Sequence, residues 1–497
     1  MCAPHSLPTP VARFPVFSAA IVAAVVLTVP SLAANAGAQL RWHPCGDTAQ
    51  SGRCGTLSVQ EDRAKPLGRR IDVALAVLPA TGTARTDDPL LILLGGPGDS
   101  PLGKAAALAR QFADINVDRD VILVDQRGTG RSSPLACFFG SDDDLQSYMN
   151  EFLPLSGVRE CLRTLRREAA LGRYRTRDFI ADLEELRVAL GVARWNLHGV
   201  SYGTRVALQY MARHPDRVRS AILMAPVPPE LVMPVSFGED ADRALRMLAA
   251  DCRADSACAA AFPRFADEAD SVARRLERAP AAARVSHPVT GAPVRLIVTR
   301  GTFGEVMRAA MYTPQGARSL PLMMHEAYDG DYTAVAAAAL RRQRGMARAG
   351  WAGLYLAVTC IEDVARADTA DAFARNRNTI LGDARARQHI GACEGWPAQP
   401  DGNEWPASHR ATPPTLVVVG ENDPATPPRW AELTMKHLVN GRLVLVPQGG
   451  HGFAGMEGGG GDCLQQLQVA FVETANPASL DTACVSSMRR LPFVTKR

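Results

Sequence analysis

Gly199-Val200-Ser201-Tyr202-Gly203 joins the short apolar run Trp195 to His198 to the helical run Thr204 to Arg213. A serine on a strand-to-helix corner is a candidate nucleophile. The turn is tight and its backbone approaches neighbouring elements, so glycine on both flanks leaves room while the Oγ points out above a sheet. Taken alone, the five residues also read as an ordinary turn, because Gly-x-Ser-x-Gly arises by chance in long chains. Three other segments decide between the two readings.

Upstream, Pro89 to Leu94 reads as a fully buried strand that runs straight into Gly95-Gly96-Pro97-Gly98. Such a loop presents backbone N–H groups. Acyl transfer needs donors fixed beforehand around a developing oxyanion, typically the N–H after the nucleophile, here Tyr202, and one from the loop after the third strand. Pro97 has no N–H, which leaves Gly95 or Gly96.

Downstream, Thr415 to Gly420 is another apolar strand, followed by Glu421-Asn422-Asp423-Pro424 and a helical stretch. Arg442 to Val446 then forms a further strand leading to Gly449-Gly450-His451-Gly452. A serine hydroxyl is a poor nucleophile until an imidazole takes its proton, and a buried carboxylate holds that imidazole in the right tautomer. Ser201, Asp423 and His451 supply the three groups in the chain order of an α/β-hydrolase. Glu421 competes with Asp423, but it directly follows the strand whereas Asp423 sits at the turn. Of ten histidines, only His437 and His451 follow Asp423. His437 falls in the helical stretch Arg429 to Leu438 and reads as a surface or packing residue, and His198 reads as a sheet residue.

The chain resembles the peptidase branch of the α/β-hydrolases, the proline iminopeptidase and tripeptidyl aminopeptidase group. Its members share a Gly-Gly-Pro-Gly oxyanion loop, here Gly95 to Gly98, and an Asp-Gln-Arg-Gly-x-Gly-Arg-Ser strand end, here Asp125 to Ser132. Asp125 and Arg127 in the second motif read as structural, pinning neighbouring backbone by charge-assisted hydrogen bonds. The likeness also takes in Gly199 to Arg205, His214 to Ser220 and Asp423-Pro424-Ala425-Thr426-Pro427, which is similar to the C-terminal part of tripeptidyl aminopeptidase-like proteins. Proline iminopeptidases proper usually carry histidine before the Gly-Gly-Pro-Gly. Leu94 stands there in this chain, which leans towards the broader secreted subgroup.

After Arg13, the apolar run Val16 to Val29 has the length of a signal-peptide h-region. It is too short to span a bilayer comfortably. Ala34-Asn35-Ala36 and Ala36-Gly37-Ala38 both offer cleavage patterns, so a signal peptide over 1–38 and a secreted or periplasmic location are expected. No stable membrane association is. Cysteine usage agrees: of eleven cysteines, Cys2 is lost with the signal and ten remain, an even set suited to an oxidising compartment. Pairing nearest neighbours gives Cys45 with Cys54, Cys137 with Cys161, Cys252 with Cys258, Cys360 with Cys393 and Cys463 with Cys484, although sequence alone does not fix connectivity. No Cys-x-x-Cys occurs and no histidine pair has zinc-ligand spacing, so no metal is expected. No cofactor is needed either, since the protein supplies nucleophile, base and oxyanion donors.

With 497 residues and 47% hydrophobic content, the chain exceeds the usual size of one domain. A net charge of +4 is small for this length, only four of the 55 basic residues are lysine, and no run of like charge suggests a nucleic-acid surface. Strands at Ile71 to Leu78, Pro89 to Leu94, Asp120 to Val124, Trp195 to His198 and Ser220 to Ala225 are accompanied by a helix from Asp178 to Leu190, whose Phe179, Leu183, Leu186 and Leu190 share one face. This alternation implies an α/β fold with a mostly parallel central sheet. From about Pro228 to Pro413 strands nearly vanish and alanine-rich helical sequence dominates. The expected organisation is therefore core over 39–227, an inserted, mainly helical cap over 228–413 and core again over 414–497. Gly458 to Gly461 reads as a flexible loop close behind His451.

The resemblance implies a serine exopeptidase that takes small peptide substrates and removes residues from their amino-terminal end through an acyl-enzyme on Ser201. Recognising a free α-ammonium calls for a carboxylate in a partly closed pocket. Within the cap, Cys360-Ile361-Glu362-Asp363 resembles a recurrent segment of the group, which makes Glu362 the first candidate and Asp363 the second. A capped esterase with the same machinery would show a pocket without a convergent carboxylate. An inactive binding protein on this fold would lack a triad member or an open oxyanion loop.

Overall fold

The computed structural model describes residues 39–46, 52–150, 152–397, 410–458 and 462–496. The expected signal peptide and residues 459–461 of the glycine-rich loop lie outside them. A nine-stranded sheet organises the chain, in the order β1-β2-β3-β5-β4-β6-β7-β10-β11. These strands are β1 Gln39–His43, β2 Arg53–Gln60, β3 Arg70–Leu78, β4 Leu90–Leu93, β5 Val121–Val124, β6 Trp195–Val200 and β7 Val218–Met224. After a hairpin described below come β10 Thr415–Gly420 and β11 Gly441–Val446. Pairing is antiparallel from β1 through β3 to β5 and parallel across β5, β4, β6, β7, β10 and β11. The chain thus has an α/β-hydrolase architecture.

The parallel strands read as continuous apolar runs because both of their faces are covered. Successive side chains point to opposite faces. Leu91, Leu93, Leu197, Leu223 and Val417 enter one core cluster, and Leu90, Ile92, Ile222, Leu416 and Val418 enter the other. The helix expected from Asp178 begins at Thr176 and buries Phe179, Leu183 and Leu186. Arg127, at the end of β5, donates to both carboxylate oxygens of Asp182 on that helix at 2.6 and 2.5 Å, and to the carbonyls of Glu61 and Arg173. Asp125 accepts the Ser100 hydroxyl and the N–H groups of Leu102 and Arg131. The Asp-Gln-Arg-Gly segment is therefore a knot that fixes the loops after β4 and β5.

Two differences from the sequence reading stand out. The strands β1 and β2 precede those expected. In β2, Leu57 and Val59 point inward, and the polar residues between and around them hide the apolar period. Between β7 and β10 the chain is mainly helical, but it includes an antiparallel hairpin of β8 Ala281–Ser286 and β9 Pro293–Val298. Alanine and arginine give β8 the composition of its helical neighbours. The five expected cysteine pairs all lie at disulfide distance. No described helix is long and apolar enough to cross a membrane.

Candidate active site

Strand order decides which loops meet. β4 lies beside β6 with Leu93 opposite Gly199, so the glycine loop after β4 and the Ser201 corner after β6 leave the sheet side by side. The fit is close: a Cβ on Gly95 would lie 2.9 Å from the Ser201 Cβ, and one on Gly203 would collide with the Leu93 carbonyl. Ser201 itself sits at φ 54° and ψ −124°, a conformation that L-residues adopt at a cost and that is typical of a nucleophile on a sharp turn. Its N–H donates to the Met224 carbonyl at 2.9 Å, and its carbonyl accepts the Thr204 hydroxyl. These bonds hold the corner in place. The Tyr202 N–H opens the helix Tyr202–Arg213, where the first N–H groups have no acceptor within the helix. Gly95 and Gly96 line the same cavity as Ser201.

Asp423 and His451 follow β10 and β11, at the same end of the sheet as Ser201. Asp423 is fully buried and its Oδ2 lies 2.9 Å from His451 Nδ1. Oδ1 accepts the N–H groups of Ala425 and Thr426 at 2.7 and 2.8 Å, and Oδ2 also accepts the Thr426 hydroxyl at 2.8 Å. Burial alone would push this carboxyl up, but His451 and the donated hydrogen bonds outweigh it and hold the group below the usual carboxylate range. Glu421, the competitor, accepts the Gln448 N–H instead. His437 pairs with Glu230 at 2.8 Å, and His198 is a buried strand residue bonded to Gln468.

Ser201 and His451 line one cavity of about 850 Å³. Among the described residues their side chains make no mutual hydrogen bond. The opposite wall comes from the segment between β7 and β10: Phe237, Arg308, Tyr312, Arg342, Tyr355 and Arg385. Tyr312 touches the histidine loop, with its ring 4.8 Å from that of His451 and its carbonyl accepting the Gly452 N–H at 2.7 Å.

Glu362 and Asp363 are placed elsewhere. They close the helix Ala352–Glu362, every residue of which is buried, and neither lines the cavity. Glu362 accepts the N–H and hydroxyl of Thr176 at 2.6 and 2.8 Å, while Asp363 takes the Arg205 guanidinium at 3.0 and 3.1 Å. Thr176 in turn meets the Tyr202 hydroxyl at 2.8 Å. Their carboxylates clamp the helix that starts at the serine corner, away from the cavity lining where a substrate ammonium was expected. Thr426 lies in the Asp423 to Pro427 segment, where nothing in the residue pattern marks its hydroxyl as a partner of Asp423. Tyr312 and the cavity arginines had no local signal.

A family model described as alpha/beta hydrolase fold matches residues 88–454. Serine protease Hip1 of Mycobacterium tuberculosis (strain ATCC 25618 / H37Rv) is 27% identical over 455 residues, a match that covers 82% of this chain and 84% of that protein. Tripeptidyl aminopeptidase of Streptomyces lividans is 31% identical over 219 residues, 40% of either chain. Proline iminopeptidase of Xylella fastidiosa (strain 9a5c) is 33% identical over 135 residues, 27% of this chain and 31% of that one.

Proposed function

The chain belongs to the alpha/beta hydrolase fold family and is a serine hydrolase of peptidase type, and from that premise we propose that it is an exported exopeptidase releasing short amino-terminal pieces from peptides. The observation that carries this reading is the Asp423–His451 pair at 2.9 Å beside a cavity shared with the strained Ser201. In this proposal Asp423 accepts a hydrogen bond from His451 Nδ1–H, which leaves Nε2 unprotonated and able to take the Ser201 proton. Ser201 Oγ attacks the scissile carbonyl, and the oxyanion falls to the N–H of Tyr202 and that of Gly95 or Gly96. His451 returns the proton to the departing amine. Water, activated by the same imidazole, then cleaves the Ser201 ester.

Residues 39–227 and 414–497 form the core in this reading, and 228–413 form the cap that supplies the far wall of the cavity. A cleaved signal over 1–38 is consistent with the five disulfide pairs, which suit an oxidising compartment.

One observation favours a second reading, a capped esterase. Among the described residues lining the cavity, Asp99 is the only acidic one, and its carboxylate is paired with Lys104 at 2.9 Å. The test uses the oxidised mature protein beside Ser201→Ala. The substrates are proline and alanine p-nitroanilides, free and N-acetylated tripeptide anilides, and p-nitrophenyl butyrate. Anilide cleavage that requires a free amine supports the exopeptidase and counts the residues released. Butyrate turnover without anilide cleavage moves the assignment to esterase. Equal activity in Ser201→Ala discards the triad.

A further inference from the structure

The cavity wall that faces Ser201 carries more positive charge than it neutralises. Arg308 on the helix Arg300–Ala310, Arg342 on Thr333–Ala349 and Arg385 on Ala384–Ala392 all line it. Arg308 and Arg385 are 2% and 7% exposed. One carboxylate lies among them: Arg385 donates to Glu305 Oε1 at 3.1 Å, Arg308 Nη1 stands 4.0 Å from Oε2, and Oε2 accepts no hydrogen bond among the described residues. Burial would raise the Glu305 carboxyl, but the guanidiniums of Arg385, Arg308 and Arg342 outweigh it and hold the group ionised.

Three guanidiniums against one carboxylate leave a formal excess of two positive charges. Arg308 Nε and Nη2 and Arg385 Nε are buried with no hydrogen-bond partner among the described residues, and Arg342 makes no ion pair there. Aromatic faces offer partial compensation. The Arg308 guanidinium lies 4.1 Å from the Phe237 ring centre and 5.1 Å from that of Tyr312, and Arg385 lies 3.3 Å from that of Phe152. A guanidinium cannot shed its proton to escape burial, so unpaired N–H donors in such a place call for an anion. The planar fork suits a carboxylate, which it can hold by two parallel hydrogen bonds. Tyr312 links the cluster to the chemistry: its ring centre lies 4.8 Å from that of His451 and 5.1 Å from the Arg308 guanidinium.

We propose that Arg308, Arg342 and Arg385 form an anion subsite of the Ser201 cavity that selects peptides carrying a carboxylate within a few residues of the scissile bond. This rests on the reading of Ser201 as nucleophile. The carboxylate comes either from an acidic side chain or from a free C-terminus, and substrate pairs separate the two.

The test measures kcat/KM on tripeptide anilides that differ only in Glu against Gln at each position, and on free short peptides against their C-terminal amides. Labelling of Ser201 by a fluorophosphonate runs in parallel. The expected result is a preference of about tenfold or more for the carboxylate member of one pair. In Arg342→Gln, whose side chain holds no ion pair that folding would lose, that ratio falls to about threefold or less. A preference in the Glu/Gln pair assigns the side chain, and one in the acid/amide pair assigns the C-terminus. Labelled Ser201 with ratios at or below one in both pairs overturns the subsite and leaves the hydrolase reading standing, as does a ratio that Arg342→Gln leaves unchanged. Ser201 that resists labelling overturns the hydrolase reading itself.

Discussion

The Tyr312 ring packs 4.8 Å from the imidazole of His451, centroid to centroid, and the Tyr312 carbonyl accepts the Gly452 N–H at 2.7 Å. The segment inserted between β7 and β10 thus steadies the loop that presents the proposed base. A small displacement of a catalytic group can cost up to ~100-fold in rate. Tyr312→Ala keeps the backbone bond and loses the ring, so kcat is expected to fall about tenfold, whereas Tyr312→Phe stays near wild type. Steady-state kinetics on any cleaved anilide checks this, and equal rates in Ala and Phe variants would show that the ring does not position His451.

Thr426 has a related task from the other side. Its hydroxyl donates to Asp423 Oδ2 at 2.8 Å and sits 3.2 Å from His451 Nδ1, while its N–H bonds Asp423 Oδ1. Thr426→Val keeps the shape and the N–H but leaves a buried carboxylate with one donor fewer. The expected result is a drop of roughly tenfold in kcat with KM held within about twofold, against a loss on the order of 10⁴ for Asp423→Asn. A Thr426→Val enzyme altered only in KM would place Thr426 with the substrate instead.

Much of this site was legible because each group follows an apolar strand. Pro89 to Leu94, Trp195 to His198, Thr415 to Gly420 and Arg442 to Val446 all became strands within two residues of their expected ends, and a loop at the end of a buried parallel strand lies where such folds place their chemistry. The Cys360 to Asp363 segment was recognisable, yet sequence did not say which way its carboxylates turn. Burial of the whole helix Ala352–Glu362 directs them to Arg205 and Thr176. Arg308, Arg342 and Arg385 lie on three separate helices in arginine-rich surroundings, so no local pattern marks them among 55 basic residues.

Glu362→Gln tests whether this carboxylate clamps the fold or receives substrate. If the carboxylate clamps Thr176 and does not touch substrate, KM for amino-terminal substrates stays unchanged. Stability responds instead. Burial pushes the Glu362 carboxyl up, more than Arg205 pulls it down. An acid whose folded pKa is raised is protonated more readily folded than unfolded, so ionising it weakens the fold as pH rises through the ordinary carboxylate range and above. Glutamine does not titrate. The Tm difference, variant minus wild type, should therefore grow between pH 4 and pH 7. A constant difference with a raised KM would return Glu362 to substrate binding.

His198 gives the opposite sign. It sits on β6, 1% exposed, with Nε2 2.9 Å from Gln468 Oε1, its ring 4.8 Å from Phe112, and Nδ1 without a partner among the described residues. Burial disfavours the imidazolium more than the Gln468 bond supports it and brings the pKa down to about 4 from 6.5. The unfolded chain binds this proton below its ordinary pKa, whereas the folded chain refuses it until about pH 4. Stability is therefore full above 6.5 and falls as pH drops through that window, by about 3 kcal/mol from this residue. His389, buried and also pushed well below 6.5, adds to the same slope. His389 is present in both proteins when wild type is compared with His198→Gln, so the difference isolates His198. Urea unfolding at several pH values between 7 and 4.5 should give a shallower decline in the variant. Parallel curves would mean that the folded protein admits the His198 proton, and with it water, at the heart of the strand that carries Ser201.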